Sequence, residues 1–540
     1  MISPQQVPQQ VPQQRSGQLP NTLAELPDWA AAVHTDPALE ALVGSGAGGE
    51  VRWGFPRLRD EIAAAARAAV AHGVRHGDRV AIWAPNSRRW ITAALGAVAV
   101  GAVLVPVNTR YKPAEAADIV RRSGARLLFT EHDFLGTDYA AALHGSGEDL
   151  GALRSTLTLH GPDWDAYLAA GAAVPDAERI ARAAAVRPDD LCDILYTSGT
   201  TGRSKGVMTT HGQTLRVYSD WARLVGLRTG DRYLLVNPFF HTFGYKAGVL
   251  ACLLAGATML PEAVYDAGRV LERIAAERVT CLMGPPTVFH GLIHHPRRAA
   301  HDLSALRLAG TGAATVPATL VEEIRVELGA PDVFTAYGLT ESCGVVSVCP
   351  TDADAETVAH TVGLPLPGTE IRIASPLGEV LGPGEPGEIQ VRGHHVMRGY
   401  LDDPAATAEA VLDGGWLRTG DIGTLDGRGY LTVTDRLKDM YVVGGFNAYP
   451  AEIEHVLLRH EAVRDAAVVG APDARLGEVG VAFVVTERAL DEGELTAWAR
   501  ERLANFKVPR RFVVVPELPR NAGGKLLKGE LRRAAAGEDA

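Results

Sequence analysis

The sequence is poor in cysteine, and its few cysteines lack the spacing of a metal or disulfide framework. Only five occur in 540 residues, an odd number, and no two of them form a CxxC pair. This pattern disfavours a disulfide-stabilised fold and a zinc site, and it favours reduced thiols in a cytoplasmic protein. The five are Cys192, Cys252, Cys281, Cys343 and Cys349.

The first residues of the sequence also do not have the pattern of a secretory leader. Residues 1–20 are rich in Gln and Pro and contain neither the basic region nor the apolar run of a signal peptide, so we expect a disordered tail. One apolar stretch, residues 90–107, consists mostly of Ala, Gly and Val and is interrupted by Gly101 and Pro106. It predicts a buried helix followed by a buried strand rather than a membrane span.

Several functional classes lack their sequence marks. Lys plus Arg (53) is outnumbered by Asp plus Glu (64), and the net charge of −11 argues against nucleic acid as the main partner. No GxxxxGK[ST] motif is present, which disfavours a Walker-type ATPase. The one GxSxG match, GRSKG at residues 202–206, lies inside a loop rich in Ser, Thr and Gly and is not interpreted as the nucleophile elbow of an α/β-hydrolase. The GxGxxG at residues 44–49 precedes no helix and is interpreted as a turn. His290 and His294 flank Gly291, where a zincin needs Glu.

Helical and strand patterns alternate through most of the chain, which predicts α/β layers. After Pro365, short strands separated by Gly and Pro predict a small β subdomain. The expected fold class is α/β: a large N-terminal domain over residues 21–437, then a small mobile α+β domain over 438–540. The predicted segments are helix 59–72, strand 78–83, helix 88–100, strand 103–107, helix 450–459, strand 463–469, helix 491–504 and strand 511–515.

The strongest local motif is an apolar strand that runs into TSGTTGRSKG. Glycines let backbone N–H groups approach a phosphate closely, hydroxyl groups add donors, and a lysine adds positive charge. The motif therefore predicts a phosphate-binding loop. Its candidate residues are Thr197, Ser198, Gly199, Thr200, Thr201, Gly202 and Lys205.

This loop resembles the phosphate-loop motif of the adenylate-forming superfamily, which includes acyl-CoA synthetases, peptide-synthetase adenylation domains and luciferases. Ser204 stands where many members have Pro. Further motifs of the superfamily follow in order, so the resemblance extends over roughly residues 21–535. It implies ATP as a substrate and Mg²⁺ as a cofactor.

The resemblance also implies roles for residues on the adenine and ribose side of the site. Tyr337 and Gly338 would pack against adenine beside the small loop Gly312-Ala313-Ala314. Thr340 and Glu341 would act at the reacting phosphates, with Glu341 a ligand of Mg²⁺. Asp421 would accept hydrogen bonds from both ribose hydroxyls.

Other implied roles fall near the C-terminus. Arg436 would contact ribose or phosphate, and Lys438 would be the hinge of the small domain. Gly444 and Gly445 would line the tunnel for the CoA thiol. Lys525, in the motif NAGGK, would stabilise charge between the acid and the α-phosphate during catalysis.

The segment NPFFHTFGYKAG resembles the acid-pocket motif, in which His241 would contact the acid or gate the pocket. The segment holds no Asp for an amino-acid ammonium group, which favours a non-amino acid. No carrier domain follows Lys525, so the expected acceptor is free CoA or a separate carrier protein.

Within the superfamily, short segments of this sequence resemble those of actinobacterial fatty-acyl-CoA-ligase-type enzymes of steroid-ring degradation. Examples are TGAATVP, TAYGLTE and DRLKDMY. Those enzymes act on the propanoate side chain of an indanedione, so the resemblance favours a cyclic or short-to-medium acid. The expected function is ATP-dependent ligation of this acid to CoA. Two alternatives stay open: a freestanding adenylating enzyme of secondary metabolism, which loads an aryl acid onto a carrier protein or adenylates nitrite, and a non-catalytic nucleotide-binding protein.

Overall fold

The computed structural model describes residues 18–44, 49–197, 204–312, 316–436, 439–443, 446–448, 450–473, 476–503, 505–520 and 526–536. The strands are β1 (Glu40–Gly44), β2 (Val51–Gly54), β3 (Arg79–Trp83), β4 (Val103–Pro106), β5 (Ala125–Thr130), β6 (Ser155–Thr158), β7 (Leu191–Thr197), β8 (Lys205–Thr210), β9 (Arg232–Leu235), β10 (Thr258–Pro261), β11 (Cys281–Gly284), β12 (Leu308–Thr311), β13 (Asp332–Tyr337), β14 (Ser347–Val348), β15 (Leu364–Pro365), β16 (Glu370–Ala374), β17 (Gly387–Arg392), β18 (Gly399–Tyr400), β19 (Val411–Leu412), β20 (Trp416–Leu425), β21 (Leu431–Arg436), β22 (Tyr441–Val443), β23 (Phe446–Ala448), β24 (Val463–Asp473), β25 (Gly477–Thr486) and β26 (Arg511–Val514).

Helices alternate with these strands, as the sequence predicts. The α-helices are α1 (Leu26–Val33), α2 (Phe55–Ala71), α3 (Arg88–Val98), α4 (Pro113–Ser123), α5 (Tyr139–Gly145), α6 (Pro162–Gly171), α7 (Asp176–Ala185), α8 (His211–Leu224), α9 (Thr242–Gly244), α10 (Ala251–Ala255), α11 (Ala267–Ala276), α12 (Pro286–Ile293), α13 (Ala318–Glu327), α14 (Ala355–His360), α15 (Pro404–Ala410), α16 (Pro450–Leu458), α17 (Glu492–Arg502) and α18 (Lys528–Ala536). A π-helical turn spans Tyr245–Leu250, and a 3-10 turn spans Thr340–Ser342.

Two large mixed sheets form the N-terminal part. The first has the order β15-β14-β13-β12-β11-β9-β10-β1-β2, and the second has the order β18-β8-β7-β4-β3-β5-β6. Their central strands are parallel, whereas β2, β8, β14, β15 and β18 pair antiparallel. Parallel strands need crossover connections, and helices supply them here. The predicted α/β class is confirmed.

One apolar cluster joins the two large sheets through α2, α3, α8 and α10. Helices α2 and α3 approach each other closely because α2 is rich in alanine and α3 presents alanines and Gly96. A Cβ placed on Gly96 of α3 would lie 2.7 Å from the Cβ of Ala65 and 2.9 Å from the backbone nitrogen of Ala66. The small residues therefore set the distance between these two helices.

The apolar stretch at residues 90–107 forms the buried end of α3 followed by β4. Both elements are buried throughout, apart from the first two residues of α3. In the part of the chain that the structure describes, no helix has the length and apolar character to cross a membrane. The prediction of a helix followed by a strand is confirmed.

Two smaller sheets follow. The β subdomain has the antiparallel order β16-β17-β20-β19, with β21 paired to β20. The last sheet has the order β23-β22-β25-β24, with β26 parallel to β25. Elements α16, β24, α17 and β26 confirm the segments predicted for residues 450–515, whereas β25 and α18 were not predicted. Residues 1–17 and the junction at Lys438 lie outside the described residues, so the domain boundaries stay predictions.

Candidate active site

The phosphate-loop motif connects two adjacent antiparallel strands of the second sheet. Thr197 ends β7, Lys205 begins β8, and the two residues are paired across the strands. The loop between them, residues 198–203, lies outside the described residues and includes five predicted site residues. These are Ser198, Gly199, Thr200, Thr201 and Gly202.

Packing around Tyr196 holds the two ends of this loop. A Cβ on Gly206 would lie 3.1 Å from Cζ of Tyr196 and 2.9 Å from Cγ2 of Ile194, so glycine lets β7 and β8 pair around the ring. The guanidinium of Arg122 lies 5.5 Å from the centroid of the Tyr196 ring and donates to the carbonyl oxygen of Ser204 at 2.8 Å. Neighbouring side chains thus fix both ends of the loop.

Tyr400 connects the phosphate-loop lysine to the predicted metal ligand. Strand β18 places Tyr400 opposite Val207 of β8. The ammonium of Lys205 lies 4.9 Å from the Tyr400 ring centroid, and the Tyr400 hydroxyl donates to Oε1 of Glu341 at 2.9 Å. Burial, followed by the nearby Glu341 carboxylate, raises the pKa of Tyr400 far above its ordinary value, so this hydroxyl remains a donor.

A tight turn carries Thr340 and Glu341. The Cβ of any side chain at Gly338 would lie 2.3 Å from the carbonyl oxygen of Gly344, so only glycine fits there. Cys343 follows the 3-10 turn with φ of 56°, in the left-handed region. Its carbonyl oxygen accepts a hydrogen bond of 2.8 Å from the hydroxyl of Tyr218. The turn is therefore held at both ends.

The predicted adenine and ribose residues lie together. The Tyr337 hydroxyl donates to Oδ2 of the buried Asp421 at 2.6 Å. Strand pairing puts Arg436 opposite Asp421, although the Arg436 side chain is not among the described ones. Gly312 directly follows β12, and an added Cβ there would lie 3.4 Å from the carbonyl oxygen of Ala336 in β13. Ala313 and Ala314 lie outside the described residues.

His241 begins the segment predicted to face the acid. Its Nδ1 accepts a hydrogen bond of 3.2 Å from the backbone N–H of Phe243, so the side chain caps the short helix α9. The His241 side chain is exposed. This capping contact accounts for the ring orientation and leaves the predicted contact with the acid untested.

A cleft of about 630 Å³ lies away from these residues, at the carboxyl ends of β3, β5, β6 and β10. Its walls include Arg88, Glu131, His160 and Glu262. Glu131 is bound by His160 at 2.7 Å, and Glu262 is bound by Arg273 at 2.6 Å, so most of its charges are paired. None of the predicted site residues that the structure describes lines this cleft.

Four predicted residues of the C-terminal part lie outside the described residues: Lys438, Gly444, Gly445 and Lys525. Their roles stay predictions. Conversely, the structure reveals Tyr400, which sequence reasoning missed. A single Tyr in a two-residue strand carries no local motif, because only the pairing of β18 with β8 brings it to the site.

Comparison with known proteins identifies the family of this chain. The family model described as AMP-binding enzyme matches residues 28–401, and that of the AMP-binding enzyme C-terminal domain matches residues 452–525. The chain belongs to the AMP-binding enzymes. The resemblance to the adenylate-forming superfamily is thereby confirmed.

Several proteins similar to this chain are named as CoA ligases or CoA synthases. An indanedione-propanoate CoA ligase of Mycobacterium tuberculosis is 51% identical over 487 residues, covering 89% of this chain and 94% of that protein. A feruloyl-CoA synthase of an Amycolatopsis species is 39% identical, covering 89% and 93%. A solved o-succinylbenzoate CoA synthetase of Bacillus subtilis, in complex with ATP and magnesium ion, is 32% identical with a TM-score of 0.78, covering 94% and 99%.

These similarities confirm the predicted class of reaction. This AMP-binding enzyme is an AMP-forming acid–CoA ligase, which uses ATP, CoA and a small carboxylic acid as substrates.

Proposed function

We propose that this chain activates a cyclic carboxylic acid, the propanoate side chain of an indanedione, and transfers the acyl group to CoA. The 51% identity to the mycobacterial ligase, spread over 89% of the chain, is the observation that carries this proposal. It is supported by the acid-side segment 237–248, which contains no carboxylate to hold an amino group.

The first half-reaction forms an acyl adenylate. The acid carboxylate attacks the α-phosphorus of ATP, and pyrophosphate leaves. Lys205 and the loop 198–203 bind the phosphates, while Tyr337 packs on adenine and Asp421 accepts from the ribose hydroxyls. Lys525 stabilises the charge that develops on the transferring phosphoryl group. The closeness of Lys205, Tyr400 and Glu341 supports this assignment.

Magnesium suits the donor set at the Thr340 turn. A carboxylate and a hydroxyl are hard oxygen ligands of the kind that Mg²⁺ prefers. The Glu341 carboxylate accepts from Tyr400 through Oε1. Glu341 and Thr340 would hold the ion, which neutralises phosphate charge when bound.

The second half-reaction makes the thioester. The thiol of CoA attacks the acyl carbonyl of the adenylate, and AMP leaves. We propose that residues 438–540 form a mobile domain that turns about Lys438. The rotation withdraws Lys525 and brings Gly444 and Gly445 to the thiol path, so that one site serves both steps. A cytoplasmic location and a carrier protein in place of CoA stay predictions from the sequence.

The test is turnover of purified protein with Mg·ATP and a panel of acids, with and without CoA. The panel holds the indanedione propanoate, ferulate, a medium-chain and a long-chain fatty acid, an amino acid, and nitrite with an arylamine. Mass spectrometry of AMP and of the acyl product reads the result. We expect the indanedione propanoyl-CoA to form with the highest kcat/KM.

Other outcomes would correct the proposal. Higher kcat/KM with ferulate would move the substrate to aryl acids. If an acid causes AMP release whose rate does not depend on CoA, the acceptor would be a carrier protein instead of CoA. Bound ATP without turnover of any acid would contradict the enzymatic function.

A further inference from the structure

A fully buried ion pair lies between elements that carry predicted site residues. The ammonium of Lys246 is 2.9 Å from Oδ2 of Asp193, and both side chains are 0% exposed. Lys246 also donates to Oγ1 of Thr209 at 2.8 Å and to Oγ1 of Thr214 at 3.3 Å. The Thr209 hydroxyl in turn donates to Oδ1 of Asp193 at 2.6 Å. The Lys246 ammonium therefore has three oxygen acceptors, and each oxygen of the Asp193 carboxylate has a partner.

Such a pair is costly to bury, because desolvation of two charges can exceed their mutual attraction. Apolar residues of similar volume would stabilise the fold equally well or better. The pair therefore needs an explanation beyond stability, and its position supplies one.

Lys246 lies in the π-helical turn Tyr245–Leu250. Turns of this kind are rare and occur frequently at functional sites. All six residues are buried, and the turn follows His241 and α9 without a break. Lys246 thus lies within the segment that is predicted to face the acid.

The ion pair joins this segment to two others. Asp193 lies in β7, which ends at Thr197 where the phosphate loop begins. Cys343, which directly follows the 3-10 turn carrying Glu341, places its Sγ 3.6 Å from the Lys246 ammonium. The lysine therefore contacts the phosphate-loop strand, the acid-side segment and the Glu341 turn at once.

The Cys343 end of this arrangement has little freedom to shift. The Tyr218 hydroxyl holds the Cys343 carbonyl oxygen at 2.8 Å. At the next residue, Gly344, an added Cβ would lie 2.5 Å from that hydroxyl oxygen and 2.9 Å from Cβ of Thr242. The Glu341 turn and the acid-side segment are consequently packed against each other.

The network keeps its charges. Burial by itself would lower the pKa of Lys246, but the Asp193 carboxylate outweighs it and raises the pKa above its ordinary value. Burial also raises the pKa of the neighbouring Cys192 thiol. Lys246 is therefore a cation in the folded protein at neutral pH.

We propose that Lys246 is a positioning residue, which acts through Asp193, Thr214 and Cys343 to hold the phosphate-loop strand, the acid-side segment and the Glu341 turn in the arrangement required for adenylation. The inference rests on the roles proposed for Lys205 and Glu341. It extends them to a residue that does not touch the substrate.

The test measures ATP–pyrophosphate exchange and thermal unfolding with the indanedione propanoate as acid. Lys246→Met alone leaves Asp193 buried without its cation, so it is expected to lose stability as well as rate. The double variant Asp193→Asn/Lys246→Met removes both charges together. We expect it to melt close to the parent and yet to lose kcat by about 100-fold, while the KM for ATP changes little.

A matched control is the ion pair between Arg307 and Asp231, which lies at the amino ends of the strands of the first sheet. Asp231 is buried, and its Oδ1 accepts from Nε of Arg307 at 2.9 Å. Asp231→Asn/Arg307→Met is expected to keep the kcat of the parent. The proposal would be overturned if Asp193→Asn/Lys246→Met had both the melting temperature and the kcat of the parent, because the ion pair would then have only a structural role.

If the double variant does not fold, a more conservative substitution tests the proposal. Thr214→Val keeps the shape of the side chain but removes the oxygen that Lys246 and Cys343 contact. A folded Thr214→Val protein with reduced kcat and unchanged KM supports positioning, and parental kcat overturns it. Absence of exchange in the parent with this acid would instead contradict the proposed substrate, and the variants would then be compared with the panel acid that the parent turns over fastest.

Discussion

At the residue scale, Tyr400 determines where the Glu341 carboxylate lies. Its hydroxyl donates to Glu341 while its ring faces the ammonium of Lys205, so one side chain contacts both charged groups. A hydrogen bond to a charged group contributes about 1.5–3 kcal/mol. Removing this hydrogen bond would take away one restraint on the orientation of the carboxylate.

Tyr400→Phe should therefore slow adenylation. We expect kcat for ATP–pyrophosphate exchange to fall by about 10- to 100-fold, because the orientation of Glu341 is lost while the ring beside Lys205 remains. The exchange assay over a range of Mg²⁺ concentrations measures this, and a higher Mg²⁺ requirement should accompany the loss.

Tyr196→Phe is the matched control. The hydroxyl of Tyr196 is buried and has no hydrogen-bond partner among the described residues. Its removal should leave the exchange rate unchanged. Equal effects of the two substitutions would contradict the specific role given to Tyr400.

A second residue-scale feature is His211, the first residue of α8. The side chain is 0% exposed, and its Nδ1 accepts a hydrogen bond of 3.2 Å from the backbone N–H of Leu23. Burial lowers its pKa to about 4. The ring is therefore neutral in the folded protein at neutral pH.

This shift predicts a loss of stability in acid. The unfolded chain binds a proton at His211 near pH 6.5, but the folded protein binds it only near pH 4, so the free energy of unfolding falls as pH drops through this window. His211→Asn keeps the acceptor but cannot titrate. Urea unfolding at pH 7 and pH 4.5 should show a loss that is smaller in this variant by about 2 kcal/mol.

Other groups will keep some pH dependence in that variant. His394 and His395 also have a pKa lowered by burial, to about 4 and about 3. An identical pH dependence in parent and His211→Asn would show that His211 does not titrate in this window.

At the element scale, the close contact between α2 and α3 depends on the absence of a side chain at Gly96. Gly96→Ala would place a Cβ 2.7 Å from that of Ala65, closer than carbon atoms can approach. We expect the free energy of unfolding to fall by about 1–3 kcal/mol, because one helix must move. Urea denaturation followed by circular dichroism measures it.

Gly145→Ala serves as the control for this substitution. Gly145 ends α5, and a Cβ added there would meet nothing within 4 Å. Alanine should be neutral or should stabilise by up to about 1 kcal/mol, because glycine is a poor helix former. A similar loss in both variants would attribute the effect to the backbone rather than to the contact.

At the scale of the whole molecule, we propose that the two half-reactions depend on different residues of the C-terminal part, Lys525 for adenylation and Gly445 for thioester formation. Lys525→Ala should reduce adenylate formation by about 100- to 1000-fold, because it removes a charge from the transition state. Thioester formation from supplied acyl adenylate and CoA should stay within a few-fold of the parent. Both reactions are followed by mass spectrometry.

Gly445→Val is the complementary variant. The added side chain should obstruct the thiol, so thioester formation from supplied acyl adenylate falls while ATP–pyrophosphate exchange continues. Loss of both reactions in either variant would contradict a division of labour between two orientations of one domain.

The sequence alone determined the α/β class, the course of the eight helices and strands predicted from it, and the order of the motifs. These properties are local: the period of apolar residues reveals helices and strands, and a glycine-rich turn after a strand indicates a phosphate loop. Even the apolar stretch at 90–107 could be divided correctly, because Gly101 and Pro106 interrupt it.

Tertiary structure alone decided which residues meet. Tyr337 and Asp421 are 84 positions apart, and Tyr400 lies 59 positions from Glu341, yet each pair is joined by a hydrogen bond. The buried pair of Lys246 and Asp193 likewise depends on a strand and a π-helical turn from separate parts of the chain. No local pattern specifies such contacts, because they depend on how distant strands pair and how helices pack between the sheets.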